Sequence, residues 1–100
     1  MHMHLRVMKY KSPSEVKANL FISLIKAQMY DKYKKKPKCL SVEFIKIGEG
    51  QLLSIAKYNK KEDFDETNKW AAPIFKKNVS ELDGVIESMP GDLISSYIKE

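Results

Sequence analysis

The sequence predicts a small α+β sandwich with the element order βαββαβ and an antiparallel sheet. Three observations carry this. The hydrophobic period changes along 100 residues in the order strand, helix, strand, turn, strand, helix, strand. A glycine-bearing turn, Gly48-Glu49-Gly50-Gln51, separates two alternating segments at hairpin spacing. Ser12-Pro13-Ser14-Glu15 is a helix start directly after the first strand-like segment. A chain of this length is one domain's worth, and residues 1–100 are expected to form a single domain.

Residues 4–10 alternate as a strand, with Leu5 and Val7 on one face and His4, Arg6, Met8 and Tyr10 on the other. In the helix that follows, Ser12 is the expected cap, Pro13 takes the first helical position and Glu15 completes a capping box. The helix is expected to reach about residue 34, with Pro37 stopping it. Its apolar residues leave only a narrow polar strip around Asn19, Ser23 and Lys26, wider cover than one sheet face demands. A second cover is therefore expected, either the other helix or another subunit.

Cys39 to Ile47 is the second strand, with Leu40, Val42 and Phe44 sharing a face, and Leu52 to Tyr58 is the third. Lys61 to about Leu82 is the second helix, capped by Asn59 or Asp63 and rich in acidic residues in its first turns. Pro73 is expected to kink or break it, and Asp83-Gly84 ends it. Val85 to Met89 reads as a helical turn or an extension, Pro90-Gly91-Asp92 as a turn, and Leu93 to Ile98 as the final strand.

Charge and cysteine content narrow the function classes. The net charge is +5, yet Arg6 is the only arginine. Residues 1–50 hold 11 basic and 4 acidic groups, against 7 and 9 in residues 51–100. The excess concentrates in Lys32-Tyr33-Lys34-Lys35-Lys36-Pro37-Lys38, where lysines complement the negative end of a helix. Sequence readers of nucleic acid favour the planar fork of arginine, so no nucleic-acid partner is expected. No apolar run is long enough to span a bilayer, and no membrane partner is expected. The N-terminal residues lack the pattern of a signal peptide and Cys39 is a lone cysteine, so a cytoplasmic location is expected.

Candidate chemistry is sparse. His2 and His4 could begin a metal site, but no third ligand accompanies them, and no metal is expected. His4 is the better general-base candidate, and Asn68 on the second helix could orient a carbonyl. Trp70 could line a ligand pocket with Tyr10 and Tyr58. Cys39 begins a strand, where a buried small residue is ordinary. Several modules with this strand order are excluded. Leu52-Leu53-Ser54-Ile55-Ala56-Lys57-Tyr58 lacks the aromatic third strand of an RNA-recognition module. One cysteine cannot hold an iron–sulfur cluster or the CxxC pair of a metal chaperone. Lys11-Ser12-Pro13 is not the glycine-flanked arginine loop of an acylphosphatase.

The long first helix, the hairpin from Val42 to Tyr58, and Tyr58-Asn59-Lys60-Lys61-Glu62-Asp63-Phe64 leading into a helix with Trp70 and Ala71-Ala72-Pro73 carry a resemblance. Over nearly its whole length the chain resembles the antibiotic biosynthesis monooxygenase-like group of dimeric α+β barrels. The resemblance implies a ferredoxin-like monomer, a homodimer made by facing sheets, and a pocket between sheet and helices. Some members oxygenate aromatic polyketides without a cofactor, some degrade haem, and many have no assigned activity. The haem-degrading pattern fails, because the first strand has no asparagine and no histidine follows Trp70.

Two readings follow. One is a cofactor-independent oxygenase or related enzyme acting on a small aromatic or apolar molecule, with Trp70, Tyr10 and Tyr58 as pocket walls and His4 or Asn68 as polar contacts. It would deprotonate its substrate and let it react directly with oxygen. The other is a non-catalytic dimeric module that binds a small apolar metabolite or serves as an accessory subunit.

Overall fold

A computed structural model describes residues 3–36 and 38–99. His2 and Pro37, which the sequence offered as a metal ligand and a helix stop, lie outside the described residues. The elements are β1 (His4–Lys11), α1 (Glu15–Lys35), β2 (Cys39–Gly48), β3 (Gln51–Tyr58), α2 (Lys61–Glu81) and β4 (Val85–Asp92). The strands form one sheet in the order β2-β3-β1-β4, and every pair is antiparallel. This is the ferredoxin-like α+β arrangement, with both helices on one face.

Alternation along β1 sets the two faces of the sheet. His4, Arg6, Met8 and Tyr10 are buried, as are Leu52, Ser54, Ala56 and Tyr58 on β3. Leu5, Val7, Lys9, Leu53, Ile55 and Lys57 take the opposite face, which no helix covers. Ile45 and Met89 lie across from Leu53 and Val7 and extend that apolar surface.

The larger core cluster joins Tyr10, Phe21, Ile25, Met29 and Phe75. Tyr10 stacks on Phe21 with ring centroids 4.1 Å apart. A Cβ at Gly84 would meet the Tyr10 ring edge at 2.5 Å, so only glycine allows the chain past it. A second cluster of Ala56, Tyr58 and Phe64 occupies the other end of the sandwich.

Several details differ from expectation, each with a local cause. The last strand is Val85–Asp92, not Leu93 to Ile98, and it pairs with β1 from Lys11↔Val85 to His4↔Asp92. Pro90 and Gly91 are accommodated because β4 is an edge strand, where a missing N–H is tolerated. Leu93 donates its N–H to the Met3 carbonyl at 2.7 Å, and residues 94–99 have no regular structure.

Ser14, not Ser12, caps α1, its hydroxyl accepting the Lys17 N–H at 3.1 Å. The Ser12 backbone is committed elsewhere, donating to the Gly50 carbonyl at 2.8 Å. Lys60 occupies the cap position of α2 without a side-chain bond, in place of Asn59 or Asp63. α2 runs unbroken through Pro73, which faces solvent between the buried anchors Ala71 and Phe75. Water can serve the backbone carbonyl that proline leaves free there.

A bulge between Cys39 and Ser41 breaks the alternation of β2. Leu40 is thereby turned out to solvent, and Cys39 joins Val42 and Phe44 on the inner side. On α1, Ala18, Phe21, Ile25 and Met29 are buried, while Val16 and Leu20 are exposed. The second cover of α1 is α2; the unpartnered apolar surface is the open sheet face.

The β2–β3 turn is tied to α1 by Glu15. Its carboxylate accepts the Gly50 N–H at 2.8 Å, where Gly50 takes a φ of 67°, and the Lys46 ammonium at 3.0 Å. The Gly50 bond first and Lys46 second hold its pKa below the ordinary 4.5. A folded pKa lowered in this way stabilises the fold above about the unfolded value, and the contribution is lost as pH falls through the folded value. Urea midpoints of the wild type and Glu15→Gln should therefore differ most at neutral pH, the wild type being the more stable. The gap should close on acidification below 4.5; a gap independent of pH would remove the carboxylate from this role.

Candidate functional site

Arg6 sits in the interior between the two apolar clusters, with only 4% of its surface exposed. One of its terminal nitrogens donates to the Ser54 hydroxyl at 3.1 Å, and the guanidinium carbon lies 4.9 Å above the Phe75 ring. Its Nε is buried without a hydrogen-bond partner, and no carboxylate pairs with it among the described residues. Asp63, a buried acid, instead faces Lys38 at 3.8 Å. A guanidinium keeps its charge in proteins, so the interior holds an uncompensated positive group.

His4 lies two residues away on the same face, about 7 Å along the strand. Its Nδ1 is 3.0 Å from the Asp92 carboxylate across the β1–β4 ladder. A carboxylate there accepts the Nδ1 proton, which leaves the Nε2 lone pair free in the neutral ring. Nε2 is buried and without a partner, and the ring rests on Phe64 at 5.1 Å. A carboxylate-oriented imidazole with a bare inner nitrogen is the arrangement a general base requires.

Three further groups complete the polar interior. Tyr58 stands opposite His4 in the ladder. Tyr33 projects from α1 with a buried, unpartnered hydroxyl, and Ser41 has another on β2. Burial pushes both phenols well above the usual tyrosine range, outweighing the pull of the Arg6 charge. They are therefore hydrogen-bond donors rather than phenolates. Burial likewise raises the Cys39 thiol, which donates to the Ser41 carbonyl at 3.4 Å, and this disfavours a nucleophilic role.

Two clefts reach Arg6, Tyr33 and Ser41, and neither is lined by His4 or Tyr58. Arg6 lines a cleft of about 80 Å³ between α2 and the β1–β4 edge, together with Asn68, Phe75, Lys76, Ile86 and Ser88. Tyr33, Cys39 and Ser41 line a groove of about 360 Å³ between the end of α1 and β2.

The residues proposed from sequence separate into different places. His4 and Tyr58 face each other, and Asn68 shares the cleft of Arg6. Trp70 packs on Tyr33 at 5.2 Å and borders an outer groove of about 510 Å³ with Lys36, Lys38 and Lys69. Tyr10 is six residues along β1 from His4, about 20 Å away, and is packed in the larger core cluster. Tyr10, Tyr58 and Trp70 therefore do not wall one pocket. Sequence reasoning missed Arg6, Asp92 and Tyr33. Arg6 carried a signal: it is the only arginine, and it alternates with residues assigned to the inner face. Among the described residues no three His, Cys, Asp or Glu side chains gather as metal ligands.

No protein-family model and no curated protein matches the sequence. Solved structures do match in shape. A dimeric ferredoxin-like protein from an uncultured marine organism superposes with a TM-score of 0.84 at 14% identity, covering 100% of this chain and 95% of that one. A Streptomyces coelicolor monooxygenase in complex with nanaomycin D gives 0.80 at 10% identity, covering 99% and 94%. The chain has the fold of the antibiotic biosynthesis monooxygenases. SnoaB of Streptomyces nogalater, a cofactor-independent oxygenase, gives 0.71 at 10% identity, covering 99% of this chain and 100% of its own. At these identities the likeness is one of backbone shape. No helix of the described residues is long and apolar enough to cross a membrane.

An unpaired buried charge weakens a fold, and replacing it by an apolar side chain of similar length relieves that cost. Arg6→Met should raise the stability to urea by about 1–4 kcal/mol. A clear loss of stability would make Arg6 a structural residue rather than one kept for a ligand.

Proposed function

We propose that this chain is a cofactor-independent oxygenase acting on a small aromatic molecule that can lose a proton. The observation that carries the reading is the Asp92-oriented His4 one step along β1 from the unpaired Arg6. His4 Nε2 takes the proton, and Arg6 stabilises the enolate or phenolate that forms, as a fixed positive group in a water-poor site does well. The electron-rich anion then reacts with dioxygen. One oxygen atom becomes a carbonyl on the substrate carbon and the other leaves as water; the substrate carbon supplies all four electrons. Shape similarity to oxygenases, one of them cofactor-independent, supports this chemistry over others open to the fold.

The competing reading, a binding or accessory module without turnover, is favoured by the small size of the Arg6 cleft, about 80 Å³. An oxygen electrode separates the two, with anthrone as the probe because its activated methylene can be oxidised to the ketone. The wild type should consume oxygen, and His4→Ala should be slower by about 10²-fold or more. Asp92→Asn should lower the rate while leaving the urea midpoint near that of the wild type, since Asp92 is exposed. Uptake no faster than buffer, or equal rates for wild type and His4→Ala, would leave the binding module as the better reading.

We further propose a cytoplasmic homodimer built on the open sheet face. Leu5, Val7, Ile45, Leu53, Ile55 and Met89 form an apolar surface there, and structures of the same shape are described as dimeric. Sedimentation should give twice the chain mass for the wild type, and Val7→Lys should give the monomer. A wild type that stays monomeric at all concentrations would exclude this assembly.

A further inference from the structure

We propose that the ligand of this site is an aromatic carboxylic acid, held in its ionised form by Arg6 and the amide of Asn68. This takes the location of the site from the functional reading above, but not its chemistry. The cleft at Arg6 combines polar and apolar lining. Arg6, Asn68, Lys76 and Ser88 are its polar residues, and Met8, Ala72, Phe75 and Ile86 its apolar ones. Its volume of about 80 Å³ suits a carboxylate and the near part of one ring. An apolar cavity of roughly 150 Å³ is what a whole benzene occupies in a protein core.

The charge state of the ligand follows from that of the site. Arg6 has no carboxylate partner among the described residues, and Ser54 is the single side chain it bonds. A guanidinium pairs with two carboxylate oxygens in a fork, and the enclosed Nε is the Arg6 donor left without a partner. A neutral phenol, with an ordinary pKa near 10, brings a counter-charge only once His4 has taken its proton. A carboxylic acid is already ionised at neutral pH and brings the missing counter-charge. The Phe75 ring, 4.9 Å from the guanidinium carbon, helps to hold the guanidinium in place. Asn68 is exposed at the mouth of the cleft, where its amide can donate to the outer carboxylate oxygen.

The only arginine of the chain gives a direct readout, because its Nε–H produces a single assignable signal in a nitrogen–proton correlation spectrum. Benzoate and benzamide share size and ring and differ in charge, and each is titrated into the wild-type protein. Benzoate should move the Arg6 Nε–H signal saturably, with an affinity about tenfold or more above that of benzamide. Asn68→Ala, a surface change that leaves the core intact, should weaken benzoate several-fold and benzamide little. Arg6→Gln should abolish the preference for benzoate, with its circular dichroism spectrum confirming that it folds. An unmoved Nε–H signal, or equal affinities for the two probes, would overturn the proposal without any variant. Benzoate binding with no oxygen uptake on anthrone would retain the anion site and remove the oxygenase reading. Oxygen uptake with no preference for benzoate would do the reverse.

Discussion

The interior is organised by one constraint, a positive charge enclosed in the sandwich with no carboxylate partner among the described residues. Arg6 stands where the two apolar clusters meet, and the groups around it are those that tolerate such a neighbour. Ser54 accepts from it and Phe75 offers it the electron-rich face of a ring. Tyr33 and Tyr58 sit within reach of its field, yet burial keeps them protonated, so they do not cancel the charge. Desolvation of an unpaired guanidinium costs several kcal/mol, a large fraction of the roughly 5–15 kcal/mol by which domains are stable. A small domain has little margin for this.

β1 carries most of the consequences. Its two-residue alternation puts an imidazole, a charge and core side chains in one row: His4, Arg6, Met8 and Tyr10. The polar members occupy the end near Tyr58 and Phe64, and the apolar ones the end near Phe21. The strand therefore separates a rigid packed end from a polar end. β4 lies beside it and brings Asp92 level with His4, 88 residues away in sequence.

Much of the fold was legible in the sequence, because periodicity reports on faces. The inward set of β1, the hairpin and both helices follow from it directly. What was not legible depends on pairing. An edge strand containing proline and glycine reads as a turn until β1 is available to pair with it, and so Val85–Asp92 was misplaced. The Leu40 inversion needed the bulge that only pairing with β3 reveals. In the site, His4 was visible as a base candidate, but Asp92, its orienting partner, belonged to that misread segment. Trp70, Tyr10 and Tyr58 attracted notice as large aromatics, yet ring size carries no information on which end of a sheet a residue occupies. The resemblance to oxygenases rested on element lengths, and similarity of shape at 9–14% identity extends no further than those lengths do.

The two outer strands of the sheet share a property with a consequence for assembly. β2 has a bulge near its start and β4 has Pro90 and Gly91 near its end, so neither rim offers a straight, unbroken row of free backbone donors and acceptors. Rims spoiled in this way resist growth by strand addition, the route by which sheets polymerise. In the proposed homodimer the broad apolar face is the one used, and a face that meets its own copy is used up in a single encounter. The rims then set its upper size: such an assembly closes at two rather than propagating into a fibre.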